Sequence, residues 1–581
     1  MKRNKIIATI ILTIASSGFA FAQDTIMNKE VEVIKAFQPT ISESNKIVSN
    51  PKINDTVKYT PIFDYRIQSS LVPVPRSIQK LPVVQLGNPP QSRSNTGYLR
   101  AGIGNAYTPF AEFALNTSPA KATDFGIFFS HFSSSPKVKL NNGIRVKSPY
   151  SDDAATIFVK NKFRKSVLDW NIGFERNRFN YYGFASVDTL LYRETENISN
   201  TLNKKQVFNN ASALFNLRKI DGRSEFSYDV SLGYNFFWNS TGQKSHKGGY
   251  SGKYLLDKRN FDIVIGSEID YFYTDSINNP YKLKSNHQYV FVALSPQYVY
   301  EKKNIMLKAG INVSSVIDDD TDALFHISPK IYFEYQPIAN VLSVFVATDG
   351  KLNVNDYQSV MQYNRYYNFA NELKPSNEVI NLSGGFKGKF SRKMSYVFDV
   401  SYSICQDEAF FYLLQNQYEA ASDELKNLFS ANYYDLNTLR FGGDVRYSSK
   451  SFSLGLNGNY YSYSSNSNVT ITHRPTFDAQ LTSLFDIGSS IKVRLDAQVI
   501  GSRKAEIMVV SNDNDGSAPA ISQEIHTIKT AIGISAGADY AYNKKLSFSL
   551  DVRNMINQNY ELWHGYNTQG ILVLAGVRYT F

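Results

Sequence analysis

His131, His246, His287, His326, His473, His526 and His564 are the only histidines, and Cys405 is the only cysteine. Imidazole and thiolate are the side chains best suited to hold transition metals or to run base and nucleophile chemistry near neutral pH. That chemistry needs partners at short, regular spacing, or an ordered nucleophile, base and acid. No two of these histidines have metal-ligand spacing, no His-Glu-x-x-His or Cys/His cluster occurs, and nothing marks a triad. The expectation is a protein that is not an enzyme and that carries no metal or cofactor.

Other residues offer contacts rather than catalysis. Asp318, Asp319, Asp320 and Asp322 cluster, and Ser511-Asn512-Asp513-Asn514-Asp515-Gly516 is similar to the start of a calcium loop. Its first ligand would be Ser511, and its twelfth position is Ser522 where such loops carry glutamate. Solvated polar loops account for both stretches. Lys137, Lys139, Arg145 and Lys147 form a basic run. It can meet lipopolysaccharide phosphates, or be a solvated loop face. Tyr357, Tyr363, Tyr366 and Tyr367 crowd the stretch from Leu352 to Phe369. Tyrosine gives wide contact area at low entropy cost and suits ligand or partner contacts. Packing inside the loop is the other reading. Residues 406–432 have helical texture in Ala409, Ala420, Ala421, Glu424 and Leu425, beside an apolar cluster Phe410 to Leu414. They read as a lid or docking helix, or as packing against a rim.

The elements that carry these loops have a period of two. Leu546, Phe548, Leu550 and Val552 alternate with Lys545, Ser547, Ser549, Asp551 and Arg553. Ile571, Val573, Ala575, Val577, Tyr579 and Phe581 alternate with Gly576, Arg578 and Thr580. Ile491 to Val499, Ile263 to Tyr273, Phe452 to Tyr460 and Tyr396 to Ile404 repeat the pattern. Such strands have one apolar and one polar face. Tight turns at Asp257–Asn260, Glu301–Asn304, Gln336–Asn340, Ser391–Met394, Ser448–Ser451 and Tyr542–Lys544 alternate with long polar stretches at 133–153, 185–203, 351–376, 406–432, 505–523 and 555–569. Short periplasmic turns and long outer loops are the asymmetry of an outer-membrane barrel. The fold expected is all-β: a transmembrane antiparallel β-barrel of about 22 strands over residues 97–581. Its last strand, with Val573, Val577, Tyr579 and Phe581 facing lipid, closes it.

Lys2, Arg3 and Lys5, the apolar run Ile6 to Ala15, and Ala20-Phe21-Ala22 read as a signal peptide over residues 1–22, cut near Ala22. No cysteine stands at that point, so a lipoprotein leader is excluded. Residues 23–96 hold Pro39, Pro51, Pro61, Pro73, Pro75, Pro82, Pro89 and Pro90, and read as an extended periplasmic arm. No later apolar run is long enough for a helical span. The formal charge is +11, three of it from the leader. The cations are dispersed, which argues against nucleic acid and for contact with anionic outer-membrane lipid.

Asn371-Glu372-Leu373-Lys374-Pro375-Ser376-Asn377-Glu378 resembles the N-P-x-L-K-P-E segment of TonB-dependent receptor barrels, with Glu372 for proline and Ser376 for glutamate. Val552 to Tyr560, Gly565-Tyr566 and Gly576 to Phe581 resemble that family's closing hairpin. The family has a globular plug ahead of its barrel. Here only the Pro-rich arm stands before Gly97, so the resemblance implies a plugless, receptor-like barrel. Glu30-Val31-Glu32-Val33-Ile34 loosely resembles the family's TonB-contacting segment and is the expected periplasmic partner strand, unless it is plain extended arm. The function this implies is solute transport or reception at the bacterial outer membrane. The alternative is a non-transporting accessory barrel in a larger outer-membrane assembly for insertion or export, held by protein partners through residues 23–96 and the outer loops.

Overall fold

The computed structural model describes residues 97–581 except 118–121, 142, 144, 183–204, 221–223, 241, 276–285, 319–322, 369–372, 417–427, 468 and 512–519. The leader, the arm with Glu30 to Ile34, Asp319, Asp320, Asp322, most of the calcium-loop-like stretch and Ala420 to Leu425 lie outside the described residues.

Twenty-two antiparallel strands form one closed barrel. The first, Gly97–Gly104, pairs with the last, Leu572–Thr580, from Tyr98 opposite Thr580 to Gly104 opposite Leu574. Closure leaves no row of unpaired amides around the wall, which a bilayer interior would penalise heavily. Backbone approach at this seam is close. A Cβ on Gly102 would stand 2.2 Å from the Ala575 carbonyl oxygen and 2.3 Å from the Phe110 ring. Glycine is therefore needed there by space.

The alternation reads out as expected. Ile265, Tyr271, Leu456, Tyr460, Leu495, Val573, Val577, Tyr579 and Phe581 are exposed on the outer wall. A continuous apolar surface of this kind belongs in lipid. Aromatic pairs gird its tight-turn end: Phe390 with Tyr396 at 4.2 Å, Phe452 with Phe485 at 4.8 Å and Phe261 with Tyr298 at 5.2 Å. The inner face carries paired charges. Arg100 meets Glu112 at 3.3 Å and Asp551 at 3.2 Å, Arg494 meets Asp551 at 2.7 Å, Lys247 meets Asp270 at 2.8 Å and Lys387 meets Glu334 at 2.9 Å. Arg440 pairs with Asp399. No described helix is long and apolar enough to cross a membrane.

Three expectations fail at the long-loop end. Residues 406–432 are not a helical lid where described: the strand Met394–Asn416 runs through Ala409 and Phe410 to Leu414, and the next strand begins at Phe429. A bulge between Cys405 and Glu408, with Asp407 at φ +52°, lets the strand continue in new register. Residues 505–523 are likewise not plain loop. Arg503–Ser511 and Ala520–Ile528 form a hairpin, and the first of these strands pairs in parallel with Tyr412 to Asn416. The inner face of the closing strand is not wholly polar either, because Leu572 and Leu574 are buried against Phe110. Near this end the lumen is filled by protein, so inward apolar residues find partners.

Candidate functional site: an aromatic cap across the mouth

Asp356 starts the one short helix described, Tyr357–Tyr363. Its carboxylate accepts from the Ser359 amide at 2.7 Å, and the Ser359 hydroxyl accepts from the Asp356 amide at 3.1 Å. This reciprocal cap satisfies two amides that a helix start leaves orphaned. The helix buries Val360 and Met361. Asn364, fully buried, then turns the chain, its side-chain oxygen accepting from the Tyr366 amide at 3.0 Å. The loop is zipped to the wall next: the Phe429 amide donates to the Tyr366 carbonyl at 2.9 Å, and Asn368 donates to the Phe429 carbonyl at 2.8 Å.

A second loop meets it. Glu561–Trp563 and Tyr566–Asn567 form a small hairpin whose turn uses Gly565 at φ +81°. Arg503 holds this hairpin by donating to the Glu561 and Leu562 carbonyls at 2.6 and 2.9 Å. Tyr366 stacks on Tyr566 with ring centres 3.5 Å apart.

The stack joins opposite walls. On one side Phe237, Phe208 and Phe179 point inward from the seventh, sixth and fifth strands of the barrel, 5.7 and 5.0 Å apart in turn, and Phe179 meets Tyr366 edge-on at 6.0 Å. On the other, Phe411 and Phe429 come from the fifteenth and sixteenth strands and flank Trp563 at 5.4 and 5.2 Å. Phe429 also lies 6.3 Å from Tyr566. Each such pair adds about 0.5–1.5 kcal/mol beyond area burial. All of these rings but Trp563, with Met361, Leu413, Ile507 and Val509, make one buried cluster that spans the mouth, and Trp563 packs half-buried against it. Burial pushes the Tyr366 phenol up from its usual value. His473, wedged between Phe429 at 5.3 Å and Trp563 at 4.6 Å, is held down at about 3 by burial and then by the charges of Arg503 and His564.

Of the four tyrosines singled out by sequence, Tyr366 and Tyr367 are packed in the cap, Tyr357 packs at its edge, and Tyr363 is 55 % exposed beside Phe411 and Trp563. Phe179, Phe208, Phe237, Phe429 and Trp563 were not singled out from the sequence, Phe411 only as part of the apolar cluster Phe410 to Leu414, and Tyr566 only within the closing-hairpin resemblance. For the phenylalanines the signal was an aromatic residue on the lumen-facing parity near a strand's long-loop end, whereas Trp563 and Tyr566 come from the separate loop hairpin. Glu30 to Ile34 lie outside the described residues.

The basic run forms its own hairpin. Lys137 stands opposite Lys147 and Lys139 opposite Arg145, all four exposed, while Val138 and Val146 are buried. Its Asn141 side chain donates to Glu561 and accepts from Asn567 at 3.0 Å, so the hairpin tip docks on the cap. Among the described residues no three His, Cys, Asp or Glu side chains converge as for a metal ion.

No protein-family model matches the chain, and no curated protein does. Solved structures match by shape. The pyoverdine outer membrane receptor FpvA from Pseudomonas aeruginosa gives a TM-score of 0.61 at 11% identity, covering 85% of this chain and 79% of its own. The ferric-catecholate import receptor Fiu from E. coli gives 0.58 at 11%, covering 84% and 82%. The FrpB iron transporter from Neisseria meningitidis gives 0.61 at 10%, covering 84% and 82%. At these identities the likeness is one of fold: this is a barrel of the kind found in TonB-dependent outer-membrane receptors.

Proposed function

We propose that the chain is a bacterial outer-membrane barrel that receives or passes a solute, with the aromatic cap as its gate. The observation that carries this is the stack of Tyr366 on Tyr566, which closes the mouth with two loops that share no strand. A seal built from loops can part without breaking the wall. Below it the lumen is lined by charges paired to one another, a water-compatible surface. The fold neighbours, receptors and transporters by name, support the same role. Conductance of the full chain in planar bilayers tests it. The native protein should be closed, and Tyr566→Ser should open it; a Tyr566→Ser barrel as closed as the parent would defeat the gate reading.

Residues 23–96 are assigned as a periplasmic arm offering Glu30 to Ile34 to a partner. The four opposed cations of the Lys137–Lys139 and Arg145–Lys147 hairpin suit lipopolysaccharide phosphates, since like charges placed face to face destabilise a hairpin unless anions join them.

A second reading, an accessory barrel of a larger assembly, is favoured by one feature. Among the described residues the strand Ala520–Ile528 pairs on one side only, with Arg503–Ser511, which leaves an edge for a partner strand. Stoichiometric co-purification after mild detergent extraction would support this reading, and recovery of a lone barrel would remove it.

A further inference from the structure

Beside the cap lies a cavity of about 360 Å³, near the lower end of the range for small-molecule sites. Its wall side carries Asp152, Glu175 and Asn177, from the inward faces of the paired strands Tyr150–Lys162 and Ser166–Asn180. Its loop side carries Met361 and Arg365, from the capped helix and the turn after it. Phe179, a member of the cap, forms an apolar surface between the two.

The charges in this cavity are of both signs, yet they do not pair. Asp152 accepts from the Asn177 amide at 2.8 Å, and neither it nor Glu175 makes an ion pair among the described residues. Arg365 instead places its guanidinium 5.5 Å from the Phe179 ring centre. Elsewhere on the inner wall, acids and bases of this kind meet directly. Asp153, a third acid of the lining, is taken up by His131, which leaves two unpaired carboxylates and a guanidinium around one space. Carboxylates hold an ammonium by charge-assisted hydrogen bonds, and the guanidinium fork matches a carboxylate. Phe179 and Met361 would take an apolar body.

We propose that this cavity binds a small amphiphilic zwitterion of the chemistry of a short peptide with free termini, its ammonium toward Asp152 and Glu175 and its carboxylate toward Arg365. The assignment rests on the receptor reading above and names its substrate class. Because the acids sit on the wall and Arg365 on the loop that carries Tyr366, a ligand here joins the wall to one of the two gate loops. Its binding shifts the cap only insofar as it favours one arrangement of the loop over another.

Calorimetry on the full chain in detergent, with leucyl-phenylalanine as the probe, tests the proposal. The free dipeptide should bind saturably, and its N-acetylated and C-amidated forms each about tenfold or more weakly, since each loses one charge-assisted contact. Glu175→Gln, which leaves Asp152, should reduce the discrimination against the acetylated form, and Arg365→Gln should abolish that against the amidated form, in protein that still shows heat-modifiable gel migration. Equal binding of the three forms to the native protein, or no saturable binding of any, overturns the proposal without recourse to a variant. Opening of the barrel by Tyr566→Ser would be untouched by that result, so the gate and its ligand fail separately.

Discussion

Tyr366 and Tyr566 lie face to face, 3.5 Å between ring centres and 14° between planes, although one belongs to the loop after the helix and the other to a separate two-stranded turn. Among the described residues no backbone ladder joins these two loops directly, so the contact reports on side-chain packing. Replacing Tyr566 by Ser removes a fully buried ring, a loss of about 3–5 kcal/mol by analogy with large-to-small core changes. The loss falls on the cap, because the wall is held by its own hydrogen bonds. Proteolysis of the long-loop end should accelerate while heat-modifiable migration on a gel stays unchanged.

The helix cap gives a gentler perturbation. Asp356→Ala should cost about 1 kcal/mol of local stability, and Asp356→Asn much less, since Asn also accepts at a helix start. Amide exchange over residues 357–367 reads this, with faster exchange expected for the Ala variant alone.

Acid should loosen the cap. His473 is buried and held at about 3, below its ordinary value of 6.5. Its folded form resists protonation, so the unfolded or opened form binds more protons at low pH. The stability it contributes is complete above pH 6.5 and falls as pH drops toward 3. His473 also sits at φ +55°, a backbone region Asn tolerates. Conductance or loop proteolysis should rise between pH 6.5 and 4 in the native protein, and His473→Asn should flatten that rise.

Closure depends on space at the seam. Gly102→Val would drive a side chain into the Ala575 carbonyl and Phe110, and should prevent pairing of the first and last strands. The expected result is loss of the heat-resistant folded band and poor membrane insertion. Ile103→Thr, on the lipid face of the same strand, should assemble normally.

The wall was legible because its physics is local. Val573, Val577, Tyr579 and Phe581 take the lipid side by parity alone, and their burial in the bilayer does not depend on any particular neighbour. The cap was not legible, because Phe179, Phe208, Phe411 and Tyr566 are brought together only by the ring of strands beneath them. Phe410 to Leu414 misled for the same reason. Their apolar run suits a helix or a strand, and the neighbouring strand with the parallel partner decided for the strand. The Asp356 and Ser359 spacing was a readable helix signal that the tyrosines around it obscured.

The cap's components are drawn from Phe179 near one end of the described chain to Tyr566 near the other. A seal of such high contact order forms late, because its parts must wait for the most distant segment to arrive. A barrel caught midway through biogenesis, before the final hairpin docks, would therefore hold an unguarded channel. Ion leakage thus offers a clock for assembly, falling silent only once the ring has been completed.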